Sequence, residues 1–305
     1  MSWRIPSSGC GSSCLLFAIE DGDISPKKTS PTWRFTARFR SGAYGWRSSD
    51  KAVTRIGEAV REIKTAARKD PKRAAEGAVR FLERLVPAIE HIDSSSGALG
   101  SAVNRAMEAL VPIIAEAPFS PAERMKALQR LMRAMMDDGI SYLEGLGDYW
   151  GELCADQAMA SQWADELLDT VRMVKKARSS GRSGFFAGTT ACLSALFAAG
   201  RFQDIVDVLD LEVRQLWFEE IWRVRALEAV GRTGDALTYI EELLIRTGRR
   251  AEAFSSHAIA ANWKSTRLAT FRAIAKKYPE IPPPRPRIRP AAPPDPAARR
   301  PNESR

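Results

Sequence analysis

Apolar residues recur every three or four positions along most of this chain, and no segment alternates them in the manner of a strand. Asp50 reads as an N-cap, after which Val53, Ile56, Ala59, Val60, Ile63, Ala66 and Ala67 trace one helical stripe. Asp70-Pro71 resets the chain, with the proline suited to a first helical turn. Ala75, Val79, Leu82 and Val86 carry a second stripe until Pro87, which is expected to kink or end it. The polar loop Asp93-Ser94-Ser95-Ser96-Gly97 precedes a third stripe through Leu99, Val103, Met107, Leu110 and Ile114. Ser120-Pro121-Ala122-Glu123 is a capping box, and its helix runs through Met125, Leu128, Leu131, Met132 and Met135 to a stop at Gly139. Further helices are predicted from Ile140 to Cys154, Gln157 to Ala177 and Ser265 to Lys277. This patterning predicts an all-α protein.

Within the helical body one stretch occurs twice. Ala195-Leu196-Phe197-Ala198-Ala199-Gly200-Arg201-Phe202-Gln203-Asp204 returns 31 residues later as Ala226-Leu227-Glu228-Ala229-Val230-Gly231-Arg232-Thr233-Gly234-Asp235. Gly200 and Gly231 stand where a helix must turn left-handed to release the chain. Asp204 and Asp235 fall in the first turn of the next helix, where an acid complements the dipole. One hairpin leaves half of its apolar surface wet, so the expected architecture is antiparallel hairpins stacked as an irregular α-solenoid. A third turn, Gly248-Arg249, follows Gly231 by only 17 residues, too few for another two-helix unit. Either the array is irregular there or a helix is missing.

The two copies look like the helix–turn–helix centre of tetratricopeptide-type repeats, although the period is shorter and the upstream Trp and Leu-Gly signature is absent. Residues 37–280 more broadly resemble a group of bacterial helical-repeat proteins without assigned activity. The similarity is carried by Ala43-Tyr44-Gly45-Trp46-Arg47-Ser48, Ala66-Ala67-Arg68-Lys69-Asp70-Pro71, Asp148-Tyr149-Trp150-Gly151-Glu152-Leu153-Cys154 and Ala269-Thr270-Phe271-Arg272-Ala273-Ile274, among others. The resemblance implies a fold and no chemistry. Members of that group run well past the position where this chain changes composition.

That change is abrupt. Ten of the eighteen prolines lie in residues 279–305, mixed with Arg and Ala, a composition that cannot pack a core. Residues 1–37 are aperiodic and rich in Ser, Gly and Pro. The domain organisation read from sequence is therefore a poorly ordered segment (1–37), a helical-repeat domain (38–278) and a Pro/Arg-rich disordered tail (279–305). The net charge of +9 suggests nucleic acid or membrane at first sight. The two ends hold much of it, and residues 51–278 carry 33 basic against 30 acidic side chains. That balance argues against nucleic acid. Met1–Pro6 opens no signal peptide and no run of apolar residues approaches 18, so a cytoplasmic chain without a membrane partner is expected.

Candidate chemistry is sparse. Cys10, Cys14, Cys154 and Cys192 are too scattered for a disulfide framework and read as buried thiols; Cys10-x-x-x-Cys14 has no second pair to complete a metal site. His91 and His257 have no converging ligands. Gly181-Arg182-Ser183-Gly184 lacks the lysine and the strand of a phosphate loop and reads as an inter-helix connection. Glu144 and Asp148, at i and i+4, read as one solvated helix face. No cofactor or metal is expected. Trp150, Trp163, Trp217, Trp222 and Trp263 are more informative, because aromatic residues dominate interface hot spots. Trp217, Phe218, Trp222 and Arg223 form the densest group and are the candidate partner-binding residues, with core packing as the competing account. Gly200, Arg201, Gly231 and Arg232 are the structural turns. Arg285, Arg287 and Arg289 in the tail could attract an anionic or proline-reading partner.

The expected function is a non-enzymatic helical-repeat scaffold for a protein or peptide. Two alternatives stand beside it: an enzyme with an unrecognised helical cleft, and a degraded or frame-shifted fragment of a longer helical-repeat protein. The fragment reading rests on the aperiodic start, the short spacing at Gly248 and the Pro/Arg/Ala run after Glu280.

Overall fold

The computed structural model describes residues 32–281 except 94, 96 and 213–216, and for Trp217 the backbone only. The readings made for residues 1–31 and 282–305, with Cys10, Cys14 and the tail arginines, lie outside the described residues. Every regular element among those described is a helix. In order they are α1 (Arg34–Arg38), α2 (Ser49–Ala67), α3 (Pro71–Ile89), α4 (Ala98–Ala115), α5 (Pro121–Met136), a 3-10 turn (Glu144–Tyr149), α6 (Trp150–Cys154), α7 (Gln157–Ser179), α8 (Thr189–Ala198), α9 (Phe202–Leu209), α10 (Trp217–Ala229), α11 (Thr233–Arg246), α12 (Arg250–Glu252), a π turn (Ala253–His257), α13 (Ala258–Ala261) and α14 (Arg267–Lys277).

Local chemistry sets the start of four helices, where Asp70, Ser120, Asp156 and Thr266 accept a first-turn N–H. The Asp70 carboxylate accepts the Arg73 backbone N–H at 3.0 Å, with Pro71 in the first turn. Ser120 and Glu123 close the capping box reciprocally, and Lys72 donates to the same glutamate at 2.6 Å. That ammonium and the Ser120 donors hold the Glu123 carboxyl down at about 2.

Four departures from the sequence reading have physical causes. Structure begins before Asp50: Ser48 caps α2, and α1 places Trp33, Phe35 and Phe39 in the core against Phe81. A five-residue helix is too short to show a period. Pro87 lies in the final turn of its helix, and α3 runs two residues past it to Ile89. The helix expected from Ile140 starts only at Glu144, and first as a 3-10 turn. Asp138 accepts the N–H groups of Ile140 at 3.0 Å and Leu143 at 2.6 Å, holding the preceding residues in a bend around left-handed Ser141. The short spacing at Gly248 arises because the single helix α11 lies between two Gly-Arg turns.

Those turns share one geometry. Gly200, Gly231 and Gly248 have φ of +74°, +76° and +81°. In each, the glycine N–H donates three residues back and the arginine N–H five residues back, as in Arg201 to the Leu196 carbonyl at 2.9 Å. Each arginine then pairs with an acid three residues on: Arg201 with Asp204, Arg232 with Asp235, Arg249 with Glu252. Gly181-Arg182 closes α7 with the same backbone bonds but without the acid.

Helices pack mainly against their near neighbours in sequence: α2 on α3 and α4, α4 on α6, α6 on α8, α8 on α7, α9 and α10, and α10 on α11. A large core extends from Trp33 to Ala236, and a much smaller one gathers Leu244, Ala253, Ala258, Ile274 and Tyr278. At the centre, α8 is buried continuously from Thr189 to Leu196. Its approach to α6 is close. A Cβ at Gly151 would stand 2.6 Å from both the Ala198 Cβ and the Ser194 carbonyl oxygen. The Ser194 hydroxyl bridges the contact, donating to the Asp148 carbonyl and accepting the Gly151 N–H, both at 3.0 Å. Gly151→Val is therefore expected to separate α6 from α8 and cost about 2–4 kcal/mol, read as a drop in urea midpoint; a cost below about 0.5 kcal/mol would contradict this packing.

Among the described residues one helix, α4, is long and apolar enough to cross a bilayer by length and composition. Eight of its residues, including Leu99, Val103, Leu110 and Ile114, are buried within the protein core. The C-terminus of α4 is held by a buried cation. The Arg124 guanidinium donates to the carbonyls of Ile114, Ala115 and Ala117 and, at 2.9 Å, to that of Leu153 in α6, while lying over the Phe119 ring.

Candidate functional site

The four residues singled out from sequence as a partner-binding group belong to α10. Trp222 is 3% exposed and packs edge-on against Phe197, so core packing accounts for it. Arg223 pairs with Asp210 at 2.6 Å and lies over the Tyr239 ring. Phe218 lines a small void with Arg178 and Glu219. The Trp217 side chain lies outside the described residues.

What the sequence does not announce is the charge beneath them. Lys175, 1% exposed, donates to Glu219 at 2.5 Å and sits 3.6 Å from Glu212. Arg178 reaches Glu212 at 2.9 Å and Glu219 at 3.7 Å. Two cations from α7 thus face two carboxylates from the α9–α10 connection and α10, an arrangement that balances charge while joining three elements. Glu220 next door accepts from Arg246 at 2.6 Å and from the Tyr239 hydroxyl, and burial raises its carboxyl above the ordinary range. A glutamate is usually a surface residue, so periodicity places none of these groups inside.

A cleft of 320 Å³ adjoins this region, lined by Met135, Asp138, Ser141, Glu144 and Phe186 among others. Burial pushes the Glu144 carboxyl up, while Asp138 is committed to backbone N–H groups. Glu144 and Asp148 do not share a face, because a 3-10 turn brings i and i+3 into line and leaves i+4 about a third of a turn away. A second groove of 520 Å³, near α1 and α2, is lined by Arg38, Arg40, Lys51 and Arg55 with Tyr44. Glu58 neutralises two of these cations, accepting from Arg38 and, at 2.6 Å, from Arg55.

Cys154 and Cys192 are buried, and burial pushes both thiols up to about 12, which leaves little thiolate for nucleophilic work. His91 is exposed, 3.5 Å from Glu90, and His257 sits in the π turn. No group of three His, Cys, Asp or Glu side chains suited to a metal occurs among the described residues.

Four of the exposed large apolar residues fall elsewhere, on α13, α14 and the link between them. Trp33, Trp150, Trp163 and Trp222 are buried, whereas Trp263, just before α14, is 63% exposed. Leu268 and Phe271 follow on α14 at 61% and 51%, with exposed Ile259 on α13, which packs on α14. The inner side of this unit is fastened through Glu241. Its buried carboxylate accepts from the Tyr278 hydroxyl at 2.6 Å, the Asn262 amide at 2.7 Å and Lys277 at 2.6 Å. Burial, and then this bond, raises the Tyr278 hydroxyl above its usual range. The fastening presents the outer face of α14 to solvent in a fixed pose. No protein-family profile, curated protein or solved structure matches this chain.

Proposed function

We propose that the chain is a non-enzymatic helical-repeat scaffold, an irregular α-solenoid of tetratricopeptide-like hairpins, whose partner is another protein or a peptide. The recurrent Gly-Arg turns and the packing of helices on near neighbours support the architectural part of this reading. The observation that carries the functional part is the exposure of Ile259, Trp263, Leu268 and Phe271 within thirteen residues of chain, on two helices that pack together and their link, since large apolar side chains close together in solvent mark a surface that is covered in use. Tagged full-length protein, cross-linked in its own cells, is expected to recover one protein at fixed stoichiometry. The same protein should be recovered when residues 282–305 are deleted. Recovery of no stoichiometric partner would sink the reading, and loss with the deletion would move recognition into those residues.

The same face favours a second reading, a fragment of a longer helical array, because the next helix of such an array would pack on α14. Translating the coding DNA past codon 280 in the other two frames tests it. If neither frame continues an amphipathic helical pattern, this reading fails.

A further inference from the structure

We infer that the outer face of α14 is a docking strip for an acidic amphipathic α-helix supplied by another protein. This rests on the scaffold reading and specifies its partner. At about 100° per residue, Thr270, Ala273, Ile274 and Lys277 point one way, and Leu268, Phe271 and Ala275 point the opposite way. The first set meets the small C-terminal core, where Ile274 is buried and Lys277 reaches Glu241. The second set is exposed. Thus α14 is apolar on both sides, the pattern of a helix covered on both.

Shape favours a helix as the cover. Every long helix before α14 is flanked by chain neighbours, and the strip 268–271–275 has the i, i+3, i+7 spacing into which another helix fits its own ridge. Trp263, just before α14 in the chain, adds a further large exposed ring.

Charge selects the kind of helix. Arg267 borders the strip on one side and Arg272 and Lys276 border it on the other, with Lys264 beside Trp263. All four are exposed, and none forms an ion pair with the described residues. No acidic residue occurs between Ala253 and Pro279. A hydrophobic seam flanked by Glu or Asp on both sides therefore meets apolar with apolar and carboxylate with cation, while a basic helix is repelled. A second copy of this chain would bring the same basic rim against itself and suits the face poorly.

The test uses full-length protein and three probes. The first is a fluorescein-labelled synthetic amphipathic helix of about 20 residues with a Leu seam flanked by Glu. The second is the same peptide with Lys for Glu, and the third is vesicles of phosphatidylcholine with phosphatidylserine. The Glu peptide is expected to bind and the Lys peptide not. Phe271→Ala, on a solvent-exposed ring whose loss circular dichroism should show to leave the fold intact, is expected to weaken binding about tenfold or more. Reversing the rim with Arg267→Glu, Arg272→Glu and Lys276→Glu should transfer binding to the Lys peptide. The proposal is overturned if the Glu peptide does not bind, if binding ignores Phe271→Ala, or if the rim reversal fails to switch the preference. It is also overturned if Phe271 instead governs sedimentation with vesicles or self-association of the protein. A cellular partner that stays bound to the Phe271→Ala variant leaves the scaffold reading standing and removes this one. Peptide binding without any cellular partner does the reverse.

Discussion

Arg124→Ala is expected to lower unfolding free energy by about 3–5 kcal/mol, near the upper end for a single substitution. The side chain is 6% exposed and meets carbonyls rather than a carboxylate. Its counter-charge is the negative end of α4, joined by one carbonyl at the end of α6. Without the guanidinium, the Leu153 carbonyl loses its donor from the neighbouring element, and the Ile114 and Ala117 carbonyls are left with local backbone N–H groups, among them Ala117 at 3.4 Å and Phe119 at 2.7 Å. Each buried carbonyl left short of a donor costs on the order of 1–3 kcal/mol, and the local N–H groups and partial entry of water keep the total below the simple sum. Arg124→Lys should recover less than about half of the loss, because one ammonium cannot span acceptors on two helices. Urea denaturation of the three proteins decides this. A cost under about 1 kcal/mol for Arg124→Ala would show that the carbonyls find other donors.

The second large effect is expected at Lys175. Lys175→Met removes the cation that lies 2.5 Å from Glu219 and 3.6 Å from Glu212, both buried. Arg178 then faces the two carboxylates without Lys175 and with little solvent, and the cost should be about 3–5 kcal/mol. Glu219→Gln should cost a comparable amount, since it leaves the buried Lys175 and Arg178 facing the Glu212 carboxylate alone of the two. A double-mutant cycle of the two should give a coupling of about 1–3 kcal/mol, measured from the same denaturation curves. Additive losses would mean that Lys175 and Glu219 are neighbours without being partners. Because α7, α9 and α10 meet at this cluster, the loss should also appear as faster amide exchange in α10 than in α3.

The all-helical character is legible in the hydrophobic period, and helix starts fixed by local chemistry, such as Asp70 and Ser120, are legible too. Elements that owe their form to distant contacts are not. The helix α1 is too short to carry a period and is held by its aromatic rings on α3, where the Trp33 ring occupies the space a Cβ would need at Gly77. The bend before the 3-10 turn depends on one aspartate reaching two N–H groups. The buried Arg124, Lys175, Glu219 and Glu241 are invisible to any rule that sends charge to the surface. Sequence marks the tryptophans as informative without separating them. Of those marked, burial takes Trp150, Trp163 and Trp222 into the core and leaves Trp263 outside. The α14 face escapes pattern reading because apolar residues on both sides of a helix cancel each other's directionality.

The preference of each helix for its chain neighbours also has an evolutionary consequence. On the proposed reading of the chain as an array of hairpins, contacts mostly short in sequence would let it gain or lose a terminal hairpin by altering one interface, leaving the rest of the fold undisturbed. Unequal crossing-over at the coding level then becomes a tolerated event, and the number of hairpins is free to drift between lineages. The final helix of such a protein is where a recombination event is first exposed to selection.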